Sequence, residues 1–191
     1  LELLRAVCTT TVYKVDPAKD KVVGDVIRDG AGVDWQDAGR SVMGFYSDTV
    51  VPRLVTCACG TKPILKQREK VVPLAQGRVL EIGMGAGHNL PYYDARRVDA
   101  VVGIDPCVTS WSLAQNRASQ LGVPLEFVQG SAEDMPLPSE SFDTVLMTFS
   151  LCTIPDGHTA LQEIRRVLKP EGRLVFCEHG EAPDESVARW Q

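Results

Sequence analysis

Three glycines and one aspartate have the spacing with the most chemistry in it. Val79, Leu80, Glu81, Ile82, Gly83, Met84, Gly85, Ala86 and Gly87 read as a strand running into a glycine turn and then into a helix. Glycine is needed in such a turn because the backbone turns tightly and a ligand approaches where a Cβ would stand. Roughly 20 residues beyond the glycines, Asp105 closes a β-branched run, where a carboxylate can accept both hydroxyls of an adenosine ribose. Alone, an Asp at a strand end is as often a turn former or helix cap. Found with the glycine turn, it points to an adenosine-containing ligand.

The glycine spacing is GxGxG. A dinucleotide fingerprint would need its third glycine at the position held by His88. That departure disfavours a nicotinamide oxidoreductase, whose pyrophosphate needs an unobstructed helix N-terminus. A site for an adenosine-containing ligand without a phosphate tolerates the change.

The elements that position these residues are read from periodicity. Residues 1–40 have no sustained period, although Thr9 to Val15 has the character of a short strand, and they are expected to form an irregular or accessory segment. Residues 41–191 are expected to form the main domain. From Ser41, Val42, Phe45, Tyr46, Val50 and Leu54 fall at helical spacing, and Thr61 with Pro63 opens a second helix through Val71. Apolar runs follow at Arg78–Ile82, Ala100–Ile104, Leu125–Val128, Phe142–Met147 and Arg173–Cys177. Helix-length segments lie between them at Gly87–Arg97, Val108–Leu121 and His158–Leu168, the last ending in a turn at Lys169–Gly172. Alternating strands and helices imply an α/β fold with a doubly wound, mostly parallel sheet. The strand ends, at Gly83, Asp105, Ser131 and Thr148, then meet at one crevice.

Composition narrows the rest. With 191 residues one main domain is expected. A net charge of −5 and a pI near 5.2 oppose electrostatic binding of nucleic acid. No apolar stretch approaches the roughly 20 residues of a transmembrane helix, which leaves surface association open. Six scattered cysteines read as reduced, cytoplasmic thiols. Cys57 and Cys59 form a CxC pair without further ligands at metal-binding spacing, so no metal is expected. The chain opens on Leu1, so its true start is expected to lie upstream.

Five runs, RVLEIGMGAGHNLPYY from Arg78, VVGIDP from Val101, GSAEDMPLP from Gly130, SFDTVLMTFSLCTIPD from Ser141 and LKPEGRLVFCEH from Leu168, resemble the successive motifs of class I S-adenosylmethionine-dependent methyltransferases. The likeness is greatest to the type 11 group, and NLPYY, SLCTIPD and FCEH resemble its thiol methyltransferase branch. It covers about Ser41 to the end.

The resemblance implies roles at matching positions. Glu81 orders the glycine turn near the methionine moiety, which Gly83, Met84, Gly85 and Gly87 surround with backbone. Asp105 holds the ribose, with Pro106 against the adenine. Ser131, Ala132 and Glu133 edge the adenine, Ser131 standing where many relatives carry Asp. Thr148 offers its carbonyl to the amino group. Asn89 either reaches the carboxylate or is a solvated first-turn residue.

An activated methyl group needs little beyond an acceptor held in line with it. His179, after Glu178 at the fifth strand end, is the candidate base, with packing at a strand end as the alternative. His88 and His158 are given no catalytic role, and Cys152 and Cys177 read as core. Tyr46 is either part of a lid over the acceptor or simply packed.

The family's sheet normally ends with two further strands, one antiparallel, which are not found before Gln191. The run Leu174–Cys177 is therefore expected to be an exposed edge, reflecting a truncated chain, an unseen tail, or a homo-oligomer that covers it. Two functions compete: methyl transfer to a small-molecule or lipid-like acceptor, a thiol among them, and a non-catalytic binding module that uses the open edge.

Overall fold

The computed structural model describes residues 10–15 and 60–179 except Gln120, with the backbone alone at 10–15, Ser110, Asn116 and His179. Among these residues the strands are β1 (Thr10–Val15), β2 (Gly77–Ile82), β3 (Val98–Asp105), β4 (Leu125–Gln129), β5 (Phe142–Thr148) and β6 (Leu168–His179). The helices are α1 (Lys62–Val71), α2 (Val108–Ala118) and α3 (Gly157–Val167). One sheet takes the order β1-β6-β5-β2-β3-β4, parallel throughout except for β1.

Successive strand side chains point to opposite faces, and both faces are covered. Val79, Val101, Leu146 and Val175 face one core, with Val71 from α1 and Ala114 from α2. Leu80, Val102, Val145 and Leu174 face the other, against Ala160, Ile164 and Val167 of α3. Burial on both sides is why these strands read as continuous apolar runs. In α3 the apolar positions recur at helical spacing, and Asp156 caps its start by accepting the N–H groups of His158 and Thr159 at 3.1 Å.

Three expectations change. The segment Gly87–Arg97 forms turns and a 3₁₀ turn at Leu90–Tyr92 rather than an α-helix. Pro91 lacks an N–H and disfavours helical backbone at Leu90, while Gly87 adopts φ +70°. The turn expected at Lys169–Gly172 is instead an irregularity within β6, whose register against β5 shifts between Phe142 and Thr144. Gly172 permits it, since a Cβ there would lie 2.9 Å from the Lys169 carbonyl and 3.0 Å from that of Phe142.

The third change concerns the sheet edge. β1 pairs antiparallel with β6 from Thr10↔His179 to Val15↔Leu174, so the edge expected to be open is covered by the chain's own N-terminal strand. Thr61 stands at the N-cap of α1, but its side chain makes no capping bond. The helix expected from Ser41, Tyr46 and the Cys57–Cys59 pair lie outside the described residues.

Strand β2 is central: the chain leaves it toward β3 and β4 on one side and later returns to β5 and β6 on the other. A crevice opens beyond the carboxyl ends of the strands at such a reversal.

Candidate cofactor site

A cavity of about 150 Å³ occupies that crevice. Of the residues expected at the site, Gly83, Asp105, Pro106, Ser131, Ala132 and Glu133 line it. Gly130, Ser150, Thr153, Ile154 and Pro155 line it as well, although sequence reasoning gave them no role. Their signal lies in the runs that carry the resemblance, GSAEDMPLP for Gly130 and SLCTIPD for Ser150 to Pro155.

Asp105 is the keystone of the glycine turn. Its Oδ2 accepts the Gly85 N–H at 2.8 Å and its Oδ1 accepts the Cys107 N–H at 2.8 Å. Each carboxylate oxygen has capacity for another donor, so the group can still receive ribose hydroxyls. The Gly83 N–H bonds the Ile104 carbonyl at 2.9 Å. Gly83 itself, at φ +65°, leaves room for Ser150, whose Cβ would lie 2.7 Å from an added Cβ. Arg117 of α2 reaches back to the Ala86 carbonyl and ties the far side of the turn to the helix.

Glu81, expected to order this turn, works one layer below it. Its carboxylate is buried and accepts Asn89 Nδ2 at 2.9 Å and the Tyr93 hydroxyl at 2.7 Å. Burial pushes the carboxyl up to about 7, against the opposing pull of the Tyr93 hydroxyl, the Arg68 charge and the Asn89 amide. Burial and the neighbouring Glu81 carboxylate likewise push the Tyr93 hydroxyl well above its ordinary value.

Asn89 is neither solvated nor turned toward open space. It is 1 % exposed; Nδ2 also reaches Thr148 Oγ1 at 2.9 Å, and Oδ1 accepts from Arg68 Nη1 at 2.7 Å. The same Nη1 donates to Thr148 Oγ1 at 2.6 Å. Arg68 is the residue sequence reasoning missed. It shares the inward stripe of α1 with Ile64 and Val71, and a charge on an apolar stripe was the available signal. Its guanidinium lies 5.2 Å from the ring centroid of Phe149, which follows β5 with φ +54°, a strained angle for a bulky side chain.

The rim is braced separately. Ser131 Oγ donates to Glu133 Oε2, and Glu133 Oε1 accepts the Asp156 N–H at 3.3 Å. Partial burial raises the Glu133 carboxyl, but these donors outweigh it and hold the group below its ordinary value. Arg166 grips Glu163 with Nε and Nη2 while also bonding the carbonyls of Met135 and Leu137, so α3 carries the loop that presents residues 131–133. Glu178 Oε1 accepts the N–H groups of Ser150 at 3.0 Å and Leu151 at 3.2 Å. His179 closes β6, and its side chain is outside the described residues. Cys177 is buried and Cys152 is exposed, so only the former packs in the core.

The sequence profile of a family described as "Methyltransferase domain" matches residues 80–176, the span from β2 through β6 that builds this crevice. The chain belongs to that family. Among relatives of this methyltransferase domain, a human thiol S-methyltransferase is 32% identical over 82% of this chain and 66% of its own length. A phosphatidylethanolamine N-methyltransferase from Cereibacter sphaeroides is 35% identical over 54% of this chain and 51% of its own length. The solved structure of YcgJ from Bacillus subtilis superposes with a TM-score of 0.53 at 30% identity, covering 67% of this chain and 53% of that one. The chain spans about half the length of the first curated relatives it matches.

Proposed function

We propose that this methyltransferase-domain chain binds S-adenosylmethionine and transfers its methyl group to a small-molecule or lipid-like acceptor. The carrying observation is the cleft in which the Asp105 carboxylate, the glycine turn and the Ser131–Glu133 loop converge. These residues fit the cofactor. Asp105 keeps acceptor capacity for the ribose, Ile104 and Pro106 offer apolar contact to the adenine, and the turn at Gly83 to Gly85 leaves space for the methionine moiety. Thr148, at the tip of β5, and Gly87, at the end of the turn, complete the set.

S-Adenosylmethionine supplies a methyl group already activated by a sulfonium, so the chain's own work is to bind, orient and balance charge. Glu81, Asp105 and Glu178 cluster at the strand ends with Arg68, an acidic surplus that suits a ligand of net positive charge. His179 at the end of β6 remains the proposed base, and Tyr46 a proposed contact to the acceptor. A thiol acceptor draws support from the human thiol S-methyltransferase, a relative aligned over 82% of this chain. No helix among the described residues is long and apolar enough to cross a membrane. The competing binding-module reading leaned on an open β6 edge, and β1 removes that support.

Titration calorimetry with S-adenosylmethionine, followed by methyl transfer to thiol, amine and phospholipid panels, tests the reading. Micromolar binding with product formed on at least one panel is the expected result; absence of cofactor binding overturns it.

A further inference from the structure

Arg68 is 5 % exposed, and its Nε is buried without a hydrogen-bond partner among the described residues. A buried donor left unsatisfied on a cation is costly, so such a group in a folded protein calls for a partner. Nη1 already serves Asn89 and Thr148, which turns the opposite, Nε–Nη2 edge of the guanidinium away from them. That edge is the one with which Arg166 grips both oxygens of Glu163, at 2.6 and 2.7 Å, and with which Arg96 grips Asp94. It has the shape and charge to hold a carboxylate by two parallel hydrogen bonds.

The position supports the same partner. Arg68 stands against Thr148 and Phe149 at the tip of β5, and Ser150, the next residue, lines the cleft beside Gly83. Asn89, the sequence candidate for the cofactor's carboxylate, spends Nδ2 on Glu81 and Thr148 and Oδ1 on Arg68 itself. Glu178 spends Oε1 on the backbone of Ser150 and Leu151, and although the charge of Arg68 acts on its carboxyl, no hydrogen bond joins it to Arg68 Nε. We infer that Arg68 binds the α-carboxylate of S-adenosylmethionine through its Nε–Nη2 edge, with Asn89 and Thr148 holding the guanidinium in place. This deepens the proposed function and rests on it. It also gives α1 a direct part in the site: the helix before the glycine turn closes the methionine end of the cleft.

The test is calorimetric titration of the full chain with S-adenosylmethionine and with decarboxylated S-adenosylmethionine, which keeps the adenosine and sulfonium and lacks only the carboxylate. Wild type is expected to prefer the intact cofactor by about 10- to 100-fold. Arg68→Met is expected to lose that preference, binding the decarboxylated compound nearly as wild type does, and Arg68→Lys to keep part of it. The wild-type preference and the Arg68→Lys titration carry the test if Arg68→Met does not fold. Equal weakening toward both compounds makes Arg68 a packing brace and overturns the inference, as does a wild type that binds both equally. A wild type that binds neither overturns the proposed function itself.

Discussion

Asp105 and Gly85, twenty residues apart in the chain, are joined at 2.8 Å by a hydrogen bond from the glycine N–H to the carboxylate. The bond fixes the end of β3 to the turn after β2. One side chain therefore both shapes the cleft and faces into it.

Asp105→Ala is expected to weaken S-adenosylmethionine binding by roughly 1–3 kcal/mol, the range for losing a charged acceptor. The midpoint of thermal unfolding also falls, because Gly85 and Cys107 both lose their acceptor. Calorimetry and a melting curve on the same preparation check the two effects. Unchanged affinity in a folded variant removes Asp105 from the ribose site.

Glu81 makes stability depend on pH. Its carboxyl lies at about 7 in the folded chain against 4.5 ordinarily. The folded state therefore favours the protonated acid, and this contribution is fully present below pH 4.5 and lost as pH rises through 7. The loss is on the order of 3 kcal/mol, and Glu81→Gln is expected to flatten that slope in denaturant titrations at several pH values. Tyr93→Phe removes a donor that lowers the Glu81 carboxyl, so the fall shifts to higher pH. A bound sulfonium favours the carboxylate, so cofactor affinity is expected to rise with pH across the same window, with proton release seen by calorimetry in two buffers.

Gly103 and Met84 are coupled by contact. A Cβ at position 103 would fall 2.3 Å from Met84 Cε and Sδ. Gly103→Ala is expected to cost about 1–3 kcal/mol of stability through overpacking. Met84→Ala alone costs about 2–5 kcal/mol because the side chain is buried. It removes the clash, so the double variant is expected to lose less than the sum of the two, with a coupling energy above about 0.5 kcal/mol in a double-mutant cycle by urea denaturation.

β1 covers β6, so removal of residues 1–15 is expected to expose the backbone of Leu174–His179. Unpaired strand edges drive association. Sedimentation velocity is expected to show larger species for the shortened chain than for the full one; an unchanged profile means the edge is protected in another way.

Much of this arrangement was legible because it depends on local rules. The apolar runs that became β2 to β6 announce themselves by burial on both faces, and Gly83, Gly85 and Asp105 by backbone geometry and strand-end placement. The segment after Gly87 has the length of a helix, but Pro91 and the positive φ of Gly87 break it into turns. Arg68 went unread because its value lies in partners 21 and 80 residues away in sequence.

The sequence by itself determined the alternation of strands and helices, the glycine turn and the acidic strand end, since each follows from periodicity or from a conformation few residues adopt. Tertiary structure alone decided that Thr10–Val15 completes the sheet, that Asn89 faces inward, and that Glu81, Tyr93, Thr148 and Arg68 share one buried network. Hydrogen bonds between distant residues and the burial that shifts a carboxyl are properties of the packed chain, and no spacing along it records them.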